Sequence, residues 1–330
     1  MILIAAVPGF PGNQTSLNPA GPGAAHIEHT FAVIFWITAT VYLLVMGTLV
    51  ISIWRSHHSL DTFPEPEQTT AAEDRIATRA VAGAMAVTLA LVFVMLISSF
   101  RTSRALGKMN NETALTIDVY GHQWWWEVQY PNEESDKIVE TANEIHLPAG
   151  VPIRIHGTSR DVIHSFWAPN VQGKRDFLPG YETDVMMQVD QVGRWRGQCA
   201  EYCGEQHAHM SFYMVAEPKD EFEQWLSGQA QSAVPPDTPQ SIHGQQVFLT
   251  HACVLCHTIR GTPASARIGP DLTHLASRST IAAGMLPNNL GNLGGWIMNP
   301  QTLKPGCRMP PNQMSGSELQ DLLAYLETLR

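Results

Sequence analysis

The sequence is short of cysteine and, in places, of charge altogether. Five cysteines in 330 residues are too few for a disulfide framework, and an odd number leaves a thiol over. No Lys or Arg occurs in the first thirty residues, so the positively charged start of a secretory signal is absent. No basic stretch occurs anywhere, the formal net charge is −10 and the pI is near 5.7, which argues against a nucleic-acid partner. Charge is missing entirely from "FAVIFWITATVYLLVMGTLVISIW", residues 31–54, and from "AVAGAMAVTLALVFVMLISSF", residues 80–100. Each exceeds the ~20 residues a helix needs to cross a bilayer core. A mean hydropathy of −0.08 conceals both.

These runs predict a two-helix membrane hairpin, with Trp54 at an end where an interfacial ring belongs. Arg55, Arg75 and Arg79 favour a cytoplasmic connecting loop, whereas Arg101, Arg104 and Lys108 vote the other way. The loop "SLDTFPEPEQTTAAED" is acidic and Pro-rich, so it reads as irregular.

After Lys108 the pattern changes to short alternating runs rich in aromatic and β-branched residues: "ALTIDVYGHQWWWEVQYP", "EIHLPAGVPIRIHGTS", "YETDVMMQVDQVGRWRGQC" and "MSFYMVAEP". Such runs separated by turns predict a β-sandwich or barrel. A helix is signalled at "DEFEQWLSGQ". Between the last two strands lies "CAEYCGEQHAHM", residues 199–210, which packs five soft or borderline metal ligands into one loop. A Cys199–Cys203 disulfide would leave His207 and Met210 without a reason. Structural zinc has no use for Met. A thioether points to copper, and Cys, His and Met before a final strand, with an upstream His such as His164 in "DVIHSFWAP", is a blue-copper layout. The second thiolate allows two coppers to be bridged, which suits electron transfer.

The C-terminal third follows a polar linker, "SGQAQSAVPPDTPQS". Cys253-x-x-Cys256-His257 is the c-type haem attachment signature, with His257 the proximal ligand. "LKPGCRMPPN" offers Met309 as the sixth ligand, with Met298 and Met314 as competitors. "ELQDLLAYLETLR" places Leu319, Leu322, Leu323 and Leu326 on one helical face, and Gly244 and Phe248 lie on the segment leading into the haem motif.

"CAEYCGEQHAHM", "DVIHSFWAP" and "GHQWWWEVQY" together resemble subunit II of the haem-copper cytochrome c oxidases, here with a fused C-terminal cytochrome c. The resemblance runs from about His29 to the end. It implies a transmembrane hairpin, an all-β cupredoxin-like Greek-key barrel and an all-α class I cytochrome c domain. The expected boundaries are an extracytoplasmic tail at 1–28, the hairpin at 29–108, the copper domain at 109–226, a linker at 227–241 and the haem domain at 242–330. It implies a two-copper CuA centre held by Cys199, Cys203, His164, His207, Met210 and the carbonyl of Glu201. The Glu201 side chain would reach a Mg or Mn ion at the interface with subunit I. Family spacing favours His207 over His209. Trp124 matches the residue where electrons come in, although an exposed indole can also be a plain docking surface. In cytochromes c the two terminal helices cross at a small residue.

The implied function is that of the electron-input subunit of a bacterial proton-pumping oxidase. Electrons pass from cytochrome c or an upstream complex to the fused haem c, to CuA, and to the haem of subunit I, where oxygen is reduced. Subunit III is a further expected partner, and no oxygen-reducing site lies in this chain. Haem c is attached on the outer face of the bacterial cytoplasmic membrane, which settles a multi-pass orientation with both soluble domains outside. A nitric oxide reductase subunit and a membrane-anchored copper-assembly protein are the alternatives. The second membrane helix departs from relatives that open it with Glu and a Trp-Thr pair, so neither Glu73 nor Asp74 is assigned a proton-channel role. The acidic run Glu133, Glu134, Asp136 and Glu140 reads as a solvated loop, or as a docking patch for a basic cytochrome.

Overall fold

The computed structural model describes residues 14–57, 71–109, 115–131 and 138–330. It divides into a hairpin unit, residues 25–108, and a unit formed by the described residues up to 24 together with those from 109 onward.

The hairpin consists of α1 (Pro22–His57) and α2 (Ala71–Lys108). Both outrun the charge-free stretches. Helical backbone satisfies its own hydrogen bonds, so it continues through polar flanks. Glu73 and Asp74 in the first turn of α2 and Lys108 in its last turn also complement the helix dipole. The most apolar window of each helix buries nothing within the protein, as expected of a surface meant for lipid or a membrane partner. Near one end the helices are tied by the Thr30 and Thr102 hydroxyls, 2.5 Å apart.

In the second unit, ten strands form two five-stranded sheets. They are β1 (Leu115–His122), β2 (Trp125–Tyr130), β3 (Val139–Ala142), β4 (Glu144–Pro148), β5 (Ile153–Ser159), β6 (His164–Trp167), β7 (Arg175–Phe177), β8 (Thr183–Met187), β9 (Gly193–Cys199) and β10 (Ser211–Glu217). The sheet orders are β3-β2-β1-β5-β8 and β4-β10-β9-β6-β7. The alternation of β5 turns Ile153 and Ile155 inward to complete burial while Arg154 and His156 face outward. Trp126 sits at the centre of the core, edge-on to Phe166, Phe177 and Phe212 at 5.6–5.9 Å. Helix α3 (Lys219–Gln229) closes one end, stacking Trp225 on His146 at 4.0 Å.

Residues 14–24, expected to belong to a separate tail, are docked on this β-domain. The Ala20 amide donates to the Asn170 carbonyl at 2.7 Å, the Ala20 carbonyl accepts from the Asp190 amide, and the fully buried Asn170 side chain binds Thr15 and Asn18.

The haem-motif domain contains α4 (Pro239–Thr250), α5 (Leu290–Met298), α6 (Pro300–Leu303) and α7 (Gly316–Leu326), with a two-stranded ribbon at Thr280–Ile281 and Leu286–Pro287. Ser315 and Glu318 cap α7 reciprocally, at 3.2 and 2.7 Å. Helices α4 and α7 cross at Gly244, where an added Cβ would lie 1.9 Å from the Asp321 carbonyl oxygen. No side chain fits against that backbone. Gly244→Val should therefore cost at least the ~1–3 kcal/mol of overpacking, lowering the thermal midpoint and the haem content. Wild-type stability in the purified variant would show that the helices part cheaply.

Glu140 is half-buried on β3, so it does not belong to an exposed acidic patch; Glu133, Glu134 and Asp136 lie outside the described residues. Burial, reinforced by Glu127 and Asp271, pushes the Glu140 carboxyl up from 4.5 to about 7. The folded state then holds this proton more tightly than the unfolded chain, so stability from this group is lost as pH rises from about 4.5 through about 7. Glu140→Gln should remove that dependence and stabilise the protein above pH 7, by about 1–2 kcal/mol after solvent screening. Denaturant midpoints of both proteins across that range measure it.

Candidate metal centre and haem-binding site

The cysteine loop is an excursion between β9 and β10. Its neck is closed by the Cys199 amide donating to the Met210 carbonyl at 2.9 Å. β6 pairs with β9, placing Phe166 opposite Cys199, and this brings His164 beside the loop. Sheet pairing thus gathers ligands that are 46 residues apart in sequence, Met210 minus His164.

The sulfur atoms divide the other donors between them. Cys199 Sγ lies 3.8 Å from His164 Nδ1 and 3.2 Å from the Glu201 carbonyl oxygen. Cys203 Sγ lies 3.6 Å from His207 Nδ1 and 3.8 Å from Met210 Sδ. His164, Cys199 and Cys203 are buried, with ligand atoms all within 4.8 Å of one another. His209 is engaged elsewhere: its Nδ1 binds Gln206 Oε1 at 2.8 Å. The Cys199 thiol is held well below its ordinary value, first by the Cys203 thiol and then by His164, despite burial. The Glu201 carboxylate is exposed, 3.9 Å from Lys174 Nζ.

Two supporting residues escaped the sequence reading. Asp161 Oδ1 accepts from His164 Nε2 at 2.9 Å, which leaves Nδ1 turned toward Cys199. Burial pushes the Asp161 carboxyl up, but His164 and the amides of Gln123 and Val162 bring it below the usual range. Gln123 Nε2 donates to the Cys203 carbonyl at 2.9 Å. An Asp three residues before the candidate His was the available signal for the first. Gly121 is required too, since a Cβ there would meet the His164 ring at 2.6 Å.

Trp124 Nε1 donates to the same Cys203 carbonyl at 2.9 Å. The indole is 8% exposed, so it is not an open docking surface in this arrangement. His122, His146 and His156 each bind a carboxylate, Glu127, Glu217 and Asp184, at 2.8–3.1 Å, in line with structural roles.

In the haem-motif domain, His257 Nδ1 donates to the Pro270 carbonyl at 2.7 Å, freeing Nε2 for a metal. Burial lowers the pKa of this imidazole, favouring the neutral form that can ligate. Cys253 and Cys256 are free thiols. Met309 and Met314 both pack against the domain core, and Gln301 Nε2 holds the Met309 carbonyl at 2.8 Å.

A two-sheet β-domain that brings buried Cys199, Cys203, Met210 and His164 together with half-buried His207, followed by a helical domain with a C-x-x-C-H motif, defines a metal-dependent redox protein. The profile of the cytochrome c oxidase subunit II periplasmic domain matches residues 115–217, and that of cytochrome c matches residues 241–330. Cytochrome c oxidase subunit 2 of Alkalihalophilus pseudofirmus is 32% identical over 321 residues, covering 96% of this chain and 91% of the relative. The Bacillus sp. (strain PS3) protein of the same name is 30% identical over 68% of this chain and 64% of its own. The solved periplasmic domain of subunit II of the cytochrome oxidase of Bradyrhizobium japonicum is 29% identical, covering 36% of this chain and 94% of that one, at a TM-score of 0.34. The chain belongs to the cytochrome c oxidase subunit 2 family.

Proposed function

We propose that this chain is the electron-input subunit of a bacterial proton-pumping cytochrome c oxidase, anchored by α1 and α2 with both soluble domains on the outer face of the cytoplasmic membrane. The observation that carries this reading is the division of donors around two adjacent thiols. A single blue copper uses one thiolate; here each sulfur has its own imidazole nitrogen and its own weak ligand. That donor set fits a two-copper centre: Cys199, Cys203, His164, His207, Met210 and the Glu201 carbonyl would hold it. Cys253, Cys256, His257 and Met309 fit a covalent haem c. Both groups, when bound, supply one-electron redox chemistry.

The remaining work belongs to the protein. The buried neck of the loop excludes water, Asp161 orients His164, and the Pro270 carbonyl orients His257. Trp124 joins the domain surface to the Cys203 peptide. The exposed Glu201 carboxylate, beside Lys174, would share a Mg or Mn ion with subunit I. Electrons from cytochrome c or an upstream complex would reach the haem first, then copper, then subunit I, with subunit III completing the assembly. The C-terminal cytochrome c match speaks against a copper-assembly protein, and the relatives' names favour an oxidase over a nitric oxide reductase.

Metal analysis and EPR of the full chain in detergent test the reading. The expected result is two coppers and one haem per chain, with a seven-line copper hyperfine pattern. One copper with a four-line pattern would overturn it.

A further inference from the structure

The haem-motif domain covers Trp124, and one buried cation is central to that contact. Lys304 is 3% exposed. Its Nζ donates to the carbonyls of Trp124 at 2.7 Å, His209 at 2.8 Å and Ala282 at 3.3 Å. An ammonium has three donors, and these three acceptors use them all. Two acceptors belong to the β-domain and one to the haem-motif domain. Burying an ammonium is costly unless every donor is satisfied, so this arrangement holds only while the domains are together.

Neighbouring contacts converge on the same loop. The Pro305 carbonyl accepts from Gln206 Nε2 at 2.8 Å. Gly306 lies against the indole, where a Cβ would be 3.5 Å from Trp124 Cη2. Ala282 and Ala283 take left-handed φ values of 55° and 59°, uncommon for a residue with a Cβ. That turn presents the Ala282 carbonyl to Lys304 and the Ala283 carbonyl to the Ser211 amide and hydroxyl, at 3.2 and 2.7 Å. Contacts from the haem-motif domain therefore fall on Trp124, Gln206, His209 and Ser211, interleaved with the proposed copper ligands. Lys304 is also five residues before Met309.

We infer that Lys304 is a positioning residue that clasps the haem-bearing domain onto Trp124 and the ligand loop, closing Trp124 to external donors so that electrons enter only through the fused haem. This rests on the two-cofactor reading above. Its consequence is that the tethered domain is a fixed conduit and not a shuttle on its linker.

The test is made on the assembled oxidase containing the full chain, as wild type and as Lys304→Met. Dipolar EPR between the ferric haem and the copper centre should give one narrow distance distribution in the wild type. Lys304→Met should broaden it while the haem absorption spectrum and copper hyperfine pattern stay unchanged. Hydrogen exchange at Gln206, His209 and Ser211 should rise about tenfold or more in the variant, the factor expected when a charge-assisted hydrogen bond is lost. A broad distribution in the wild type would overturn the clasp even if the variant failed to assemble. So would an unchanged distribution and unchanged exchange in Lys304→Met. Absence of the haem or copper signal in the wild type would instead sink the cofactor reading, and the exchange data would still report on the clasp.

Discussion

Cys203→Ser should abolish the two-copper centre while leaving the β-domain folded. The thiol lies 3.6 Å from His207 Nδ1 and 3.8 Å from Met210 Sδ, so its loss removes a sulfur donor in contact with both. The fold has little reason to fail. The Cys203 carbonyl keeps its hydrogen bonds from Gln123 and Trp124, because both are made to backbone. A serine fills less space, and an unsatisfied buried hydroxyl costs only about 1–3 kcal/mol. Loss of a supporting residue around a metal commonly reduces affinity or activity by about 10–100-fold, and loss of a proposed thiolate ligand should exceed that. Turnover of the assembled oxidase should fall by more than about 100-fold. At most one weakly held copper should remain, with the haem spectrum unaltered. An intact two-copper EPR signal in Cys203→Ser would remove Cys203 from the ligand set.

His257→Ala should produce the complementary defect. The imidazole is fixed by the Pro270 carbonyl at 2.7 Å, and burial keeps it neutral. Alanine offers no ligand and leaves a cavity beside Gly269, whose missing Cβ gives the ring its room at 2.7 Å. The low-spin haem spectrum should disappear, and electron transfer from cytochrome c should fall to background. The copper signal should persist, because the copper donors lie on a separate domain. If His257→Ala retained a low-spin haem with normal turnover, a different proximal ligand would be required.

The two variants probe the parts of the molecule that were most readable from sequence. The donors in "CAEYCGEQHAHM" and in C-x-x-C-H are local, and local spacing carries ligand chemistry directly. The alternation in "VPIRIHGTS" sets Ile153 and Ile155 on one side of the strand, and the structure buries both. The small residue at the crossing of the terminal helices is Gly244, as the cytochrome resemblance implied. What escaped reading was tertiary. Lys304 sits in a polar-looking loop, and nothing in its neighbourhood announces acceptors 180 and 95 residues away. Residues 14–21 have no strand or helix signal of their own, and they are held by pairing with Asn170 and Asp190. Helices α1 and α2 outrun their apolar cores because hydropathy marks the membrane-fitting stretch and not the end of backbone hydrogen bonding.

The most direct test of the central claim is the order of reduction. The assembled oxidase, oxidised and blocked at its oxygen site, is mixed rapidly with reduced cytochrome c while haem c and copper absorbance are followed together. The account predicts that haem c is reduced first and that copper reduction follows at the rate of haem c reoxidation. Copper reduced directly by the external cytochrome, ahead of haem c, would contradict it.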